Sequence, residues 1–304
     1  MSSLKALLSI GTFTEGAIAI ILNSVIVAIN GKRVKTGLKW NLPELSQLVM
    51  GIVNITMRCS TASQILFSIY WPSSCSSIKE LCSTLAFLHQ FHMCFSFWLT
   101  ACLCAYYCTA ITNSNHRLFQ WIKRTLSSHL PSLLLLSGLG SLLLTFPLAF
   151  QFQIIPQQIY SGNSTFIEYA LSYNLLWVAI TSIFDCFLPF FFIFLSMITT
   201  VFSLIRHIRK MKHNQSGYAR PKLQAHTSAI RTMLLFLTLS TVFYVSETLL
   251  YIEHSFADPT IYIKLLTVTI FPTLEATIII QANPQLRKII SKWFCRVKSQ
   301  ENGS

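Results

Sequence analysis

Arg58, Asp185, Glu247 and Glu275 are the residues of this 304-residue chain whose chemistry most needs explaining, because each interrupts a long apolar stretch. An ionised side chain at the centre of a bilayer costs a few kcal/mol on insertion scales, so such residues are usually paired or put to use. Counting inward from the segment ends places Arg58 and Glu275 near mid-depth to the inner half, together with Asn23. That spacing predicts a polar network of Asn23, Arg58 and Glu275 coupling the first, second and seventh segments. It reads either as a two-state packing switch or as a static buried salt bridge. Asp185 stands one helical turn before Pro189, and Glu247 about one turn from the end of its segment, both in the half that the charge pattern below assigns to the outside. His89, Gln90, Met93 and Cys94 occupy matching depths on the third segment, with His89 and Met93 four apart and hence on one face. Trp177 and Thr181 on the fifth segment and Phe243 and Tyr244 on the sixth complete the mixture expected of a mostly apolar pocket with a few orienting polar groups. For Met93 and Phe243, plain helix packing explains the residue type equally well. A carboxylate in such a pocket points to ligands that include amphipathic cations, their ammonium meeting Asp185 or Glu247 while an apolar body stacks on aromatic rings.

Other chemistries find no footing. There is no His-Glu-x-x-His pair, no Gly-rich phosphate loop and no Gly-x-Ser-x-Gly elbow, so neither an enzyme nor a nucleotide-driven pump has a visible site. His89 and His92 are one turn apart, but no further His or carboxylate has the spacing to complete a four-ligand metal site. Lys264 is too near the mouth of its segment to carry a buried retinal. The chain is expected to be no enzyme and to use no metal or cofactor.

The elements that must position these residues are membrane helices. The composition is 53% hydrophobic and 11% charged, against about 25% charged in ordinary globular domains. A hydrocarbon core about 30 Å thick needs roughly 20 apolar residues of helix. Seven segments qualify, at about 6–29, 44–70, 81–111, 130–150, 170–205, 229–252 and 260–281, and they leave no room for a separate soluble domain. The expected fold is therefore an all-α bundle of seven transmembrane helices forming a single domain over residues 1–304. Of the 23 Lys and Arg, nineteen fall in the first inner loop, the second, the fifth-to-sixth connection and the tail, whereas the opposite side has only Lys5, Lys79 and Lys264. By the positive-inside rule the N-terminus is outside and the C-terminus cytoplasmic. The net charge of +13 is thus a topology signal that can also touch anionic lipid or an acidic partner, and nucleic acid is not implied.

Smaller features fit this frame. The first segment starts within a few residues of Met1 and reads as an uncleaved signal anchor. The sequon at Asn163 falls in the second outer loop, where a glycan can be added, whereas the one at Asn54 lies inside a span. Six of the nine cysteines sit within spans and read as small buried hydrophobes. Cys75 and Cys82 lie near the oxidising face and are the pair available for a local bridge. Cys295, beside Trp293 and Phe294 in a basic tail, is a palmitoylation candidate or an interface residue. Leu286, Ile289, Ile290, Trp293 and Phe294, interleaved with bases, read as a short amphipathic helix at about 285–295 on the inner leaflet.

The run from Phe97 to Tyr107, continuing through Ile111, Asn113, His116, Leu118-Phe119, Trp121 and Lys123, resembles the third helix and second inner loop of the bitter taste receptors. Leu188-Pro189-Phe190, Leu195-Ser196, Ser203-Leu204, His207 and Met211 keep that family's fifth-helix spacing. Ala225-His226 with Ala229, Ile230 and Arg231 resembles its sixth-helix entry, and Pro272 with Asn283-Pro284-Gln285-Leu286 the end of its seventh helix. The sequence departs from the pattern at Ala110, where lysine is usual, at Glu275-Ala276 in place of His-Ser, and at Arg220-Pro221 in place of Asp-Pro. The resemblance implies a G-protein-coupled receptor in the plasma membrane, with ligand contacts on the third helix at the depth of His89 to Cys94. It also implies coupling to a gustducin-like heterotrimeric G protein, and Tyr107, His116, His207, Met211, His226 and Arg231 line the expected inner opening. A type 1 vomeronasal-like chemoreceptor shares this architecture, and a channel or transporter, which would need no G protein, is the rival from another class.

Overall fold

The computed structural model describes residues 2–35, 42–70, 79–112, 117–151, 153–161, 164–172, 175–214, 220–252, 260–283 and 286–291. Among these, seven long helices form one bundle. They are α1 (Ser2–Lys35), α2 (Leu42–Tyr70), α3 (Lys79–Ile111), α4 (Arg117–Gln151), a composite α5, then α6 (Arg220–Ile252) and α7 (Thr260–Ala282). Residues 286–291 add a short terminal helix. Side-chain pairs fix the order. Asn23 meets Asn54 and Glu15 meets Arg58, so α1 and α2 are antiparallel. Gln47 meets Tyr107 and Thr61 meets His89, and Phe87 lies against Phe146 and Cys94 against Ser141, which continues the alternation through α3 and α4.

The bundle is apolar outside and polar at its centre, the reverse of a soluble protein. Leu135, Leu143 and Phe202 are at least 66% exposed, while Asn23, Asn54, Arg58 and Glu275 are at most 2% exposed. Water would not tolerate that surface, and lipid requires it. Among the described residues, Ile10–Arg33, Ser83–Thr109 and Ala179–Arg206 are long and apolar enough to cross a membrane. Pro131–Pro147, Ile230–Ser246 and Thr269–Ala282 are shorter apolar stretches. The corresponding part of α2 is diluted by Gln47, Asn54 and Arg58, all of which it buries.

Several boundaries differ from those read from hydropathy, for physical reasons. Helices continue through polar residues once backbone hydrogen bonding has started, so α1 ends at Lys35, the last part of α5 at Asn214, and α6 begins at Arg220. The fourth helix begins at Arg117, not near 130, but His129 breaks it with φ −120° and ψ 18°. That break lies just before Pro131, where the apolar stretch starts, and a proline disfavours helical geometry in the preceding turn. The fifth helix begins at Leu175 rather than 170, because the preceding residues form a hairpin. In it β1 (Gln153–Ser161) pairs antiparallel with β2 (Ser164–Ser172), in a register that sets Ser161 opposite Ser164. Two residues, Gly162 and Asn163, separate the strands, and that pair between β-branched and aromatic runs is a hairpin signal.

α1 and α2 approach closely at Gly51. A Cβ built there would lie 2.8 Å from Val27 Cγ2 and 3.3 Å from the Asn23 carbonyl oxygen. Gly51→Ala should therefore destabilise the protein by about 1–3 kcal/mol through overpacking, read as a lower melting midpoint in detergent. Gly31→Ala, whose Cβ would meet only Leu48 Cδ1 at 3.8 Å, should leave the midpoint nearly unchanged.

Candidate functional site

Polar side chains recur on α1 at Glu15, Asn23 and Asn30, spacings of eight and seven residues that keep them on one helical face. On α2 the facing residues are Arg58, Asn54 and Gln47. Paired across the helices, they form three layers; at 1.5 Å per residue the first two are about one helical turn apart along α2 and the third lies about 10 Å further on.

The first layer holds the arginine. Arg58 Nη2 donates to Glu15 Oε1 at 3.2 Å, and the Thr273 hydroxyl of α7 donates to the same carboxylate oxygen. Counting along the spans predicts that Arg58 pairs with Glu275; it pairs with Glu15 instead. It sits one full turn away from that level, and Glu15 neutralises it there.

In the second layer, Asn54 Nδ2 donates to Glu275 Oε2 at 2.9 Å and to Asn23 Oδ1 at 3.3 Å. Thr100 Oγ1 of α3 donates to Glu275 Oε1 at 2.9 Å, and Asn23 Nδ2 is held by the carbonyl of Ala19 at 2.9 Å. Four helices thus converge on one fully buried carboxylate. Asn23 and Glu275 share this network, but Asn54 and Thr100 join them where Arg58 was expected. The i, i+4 spacing of Asn54 and Arg58 on α2 carried that information, because both project from one face.

The third layer links Asn30 Nδ2 to Gln47 Oε1 at 3.4 Å and Gln47 Nε2 to the Tyr107 hydroxyl at 3.4 Å. Arg33 and Glu44 form an ion pair beyond it. Tyr107, expected at the inner opening, is thereby tied to α2. Arg231 is exposed. His116 and the side chains of His207, Met211 and His226 lie outside the described residues.

A separate cluster forms where α3, α4 and α5 meet. α5 runs as α-helix from Leu175–Thr181, widens into a π-helical turn at Ser182–Phe187, and resumes as α-helix at Leu188–Asn214. Single π turns inside α-helices are frequent at functional sites, because they rotate one side chain out of register. Here the turn carries Asp185, which is 1% exposed. Cys94 Sγ lies 2.9 Å from Asp185 Oδ1 and 3.1 Å from Ser141 Oγ, and Gln90 also hydrogen-bonds the carboxylate. Asp185 Oδ2 has no hydrogen-bond partner among the described residues. Asp185, Gln90 and Cys94 are thus brought together, and Thr181 is buried one turn before Asp185. His89 is not among them, because its Nδ1 shares a hydrogen bond with Thr61 Oγ1 of α2 at 3.0 Å.

Met93 and Phe243 join the main apolar cluster, and Tyr244 packs against it, stacked on Phe190 with ring centroids 4.6 Å apart and planes 7° apart. One turn along α3 from Met93, Phe97 lies 5.0 Å from Phe243, which stacks on Phe271 at 3.9 Å. Phe97 stands three residues before Thr100, and Phe271 four before Glu275. The aromatic triad therefore separates the Asp185 cluster from the Glu275 layer and touches the helices of both. Among the described residues no group of three or more His, Cys, Asp or Glu side chains could hold a metal. The six described cysteines, Cys59, Cys94, Cys102, Cys104, Cys108 and Cys186, are free. Asn163, Cys75 and Cys295, and the side chains of Cys82, Trp177 and Glu247, lie outside the described residues.

A seven-helix membrane bundle with a buried polar axis and a second polar cluster between α3 and α5 defines the receptor-like class of multi-pass membrane protein. The model of the taste receptor protein (TAS2R) family matches residues 1–298, and the chain belongs to that family. It is similar to taste receptor type 2 member 143 of Rattus norvegicus, 30% identical over 205 residues that cover 65% of this chain and 69% of the relative. Member 9 of Papio hamadryas is 26% identical over 301 residues, covering 98% and 96%. Member 4 of Homo sapiens is 27% identical over 288 residues, covering 91% and 93%. Membership in the type 2, or bitter, taste receptors makes the chain a chemosensory receptor and not an enzyme.

Proposed function

We propose that the chain sits in the plasma membrane with its N-terminus outside, binds bitter small molecules between α3, α5 and α6, and activates a gustducin-like heterotrimeric G protein from the opposite face. The observation that carries the ligand site is Asp185. Its π-helical turn carries a carboxylate buried in the bundle, and one of its oxygens has no partner among the described residues. Buried polar atoms are satisfied in the great majority of cases, so an orphan marks a place for a guest. Gln90, Cys94, Thr181, Met93, Phe243 and Tyr244 supply the surround, with His89, Trp177 and Glu247 as further candidates. Amphipathic cations suit this site, since an ammonium meets the carboxylate while an apolar body packs on Phe243 and Tyr244.

A ligand that displaces Phe243 acts on Phe97 and Phe271, and so on the helices carrying Thr100 and Glu275. Differential affinity for two packings of that polar axis shifts the population toward the one competent for the G protein. Tyr107, His116, His207, Met211, His226 and Arg231 are the residues proposed to meet that partner or its approach. Asn163 is the proposed glycosylation site, Cys295 the proposed acylation site, and Cys75 with Cys82 the proposed local bridge. Anionic lipid is a further partner of the basic loops.

The test is intracellular calcium in cells expressing the chain with a gustducin-tailed G-protein α subunit, screened against a bitter-compound panel. Responses to a few compounds that disappear when the α subunit is omitted are the expected result. Responses that persist without it would favour a transport protein, and silence with good surface staining would favour a vomeronasal-type ligand set.

A further inference from the structure

We propose that Glu275, Asn54, Asn23 and Thr100 form a binding site for a monovalent cation of sodium size. Glu275 is fully buried, and the groups that hydrogen-bond it, Asn54 and Thr100, are both neutral. The nearest candidate cation on α2, Arg58, is committed to Glu15 one turn away. A carboxylate ionised at such a place carries an uncompensated charge in a medium where that is costly.

The surrounding groups are oxygen donors. Asn23 Oδ1 faces the Asn54 amide at 3.3 Å, and Thr100 offers a hydroxyl whose hydrogen can rotate away. Asn54 Oδ1 is itself buried and has no partner among the described residues. Rotating the Asn54 amide by half a turn exchanges its oxygen and nitrogen at almost no steric cost. The oxygen then occupies the position 2.9 Å from Glu275 Oε2 and 3.3 Å from Asn23 Oδ1. Oxygens sharing a hard cation at about 2.1–2.4 Å are separated by roughly 3.0–3.4 Å along an octahedral edge. The cluster already has that spacing.

Charge selects the ion. One carboxylate with three neutral oxygens is balanced by a single positive charge, whereas a divalent ion would leave a net charge buried in the bundle. Because the ligands come from α1, α2, α3 and α7, the bound ion ties four helices into the packing described above and stabilises it by mass action.

The experiment is thermal melting of the purified full-length protein in detergent, in sodium chloride or choline chloride at equal ionic strength. Sodium should raise the midpoint saturably, by about 2–4 °C at several times its dissociation constant. Glu275→Gln should abolish the difference, and Thr100→Val should shift the saturation curve several-fold toward higher sodium. Glu15→Gln, which alters the neighbouring layer, should retain the sodium-dependent shift whatever its starting midpoint. Equal midpoints in the two salts for the wild type would overturn the proposal. So would a sodium shift that survives both Glu275→Gln and Thr100→Val, or wild-type stabilisation by acid that leaves no sodium dependence, which would make a proton the occupant.

Discussion

Arg58→Met is expected to remove most of the protein from the cell surface, and Glu15→Gln in the same chain is expected to restore a large part of it. Arg58 is 2% exposed and its one ionic partner among the described residues is Glu15. Removing one member of a buried pair leaves the other charge uncompensated, at a cost of about 3–5 kcal/mol. Folding stabilities are commonly about 5–15 kcal/mol, so such a loss reaches the level at which quality control acts. Removing both charges replaces the pair by neutral groups, which is often nearly neutral in energy. The second double variant, Arg58→Met with Glu275→Gln, should show no rescue, because Glu275 belongs to the next layer. Surface staining of a tagged copy across the two cycles measures this directly. Rescue by Glu275→Gln and not by Glu15→Gln would mean that Arg58 spans the two layers after all.

Asp185→Asn should reduce the potency of cationic agonists by about 10- to 100-fold while leaving neutral agonists close to wild type. Hydrogen bonds to charged groups are worth about 1.5–3 kcal/mol, and each 1.4 kcal/mol is tenfold in affinity. Asparagine keeps the size and the contact with Cys94, so the packing of α3, α4 and α5 should survive and surface expression should be retained. Dose–response curves for paired cationic and neutral compounds separate loss of charge from loss of fold. Equal losses for both classes would mean that Asp185 supports the helix interface and does not meet the ligand.

The contrast between these two residues shows what the sequence made legible. Seven apolar segments and their connections specify the bundle, because lipid allows few alternatives to a helix whose backbone is internally satisfied. Depth along a helix is harder. An error of one turn in a segment end moves a residue by about 5.4 Å, enough to set Arg58 beside Glu275 instead of beside Glu15. Asn54 stands one turn from Arg58, whose charge draws the expected pairing, and in the sequence it registers only as a sequon within a span; Thr100 is unmarked because threonine is common in membrane helices. Asp185 was easier to place than to explain. Its level on α5 matches Cys94 on α3, but the π-helical turn that directs it inward has no local sequence signature in Ser182–Phe187. The hairpin at Gln153–Ser172 had its signal in Gly162-Asn163 between β-forming runs, and a reading organised around hydropathy assigned those residues to a loop and a helix start.

The central claim is that ligand binding near Asp185 opens the opposite face to a G protein, and nucleotide exchange reports it with the fewest intermediaries. The purified chain in lipid nanodiscs would be mixed with a gustducin-type heterotrimer, and the rate of labelled GTP uptake followed with and without an agonist from the calcium screen. An agonist-dependent acceleration, weakened by Asp185→Asn for a cationic agonist, is the predicted result. Agonist binding to the folded protein with no change in exchange rate would contradict the account.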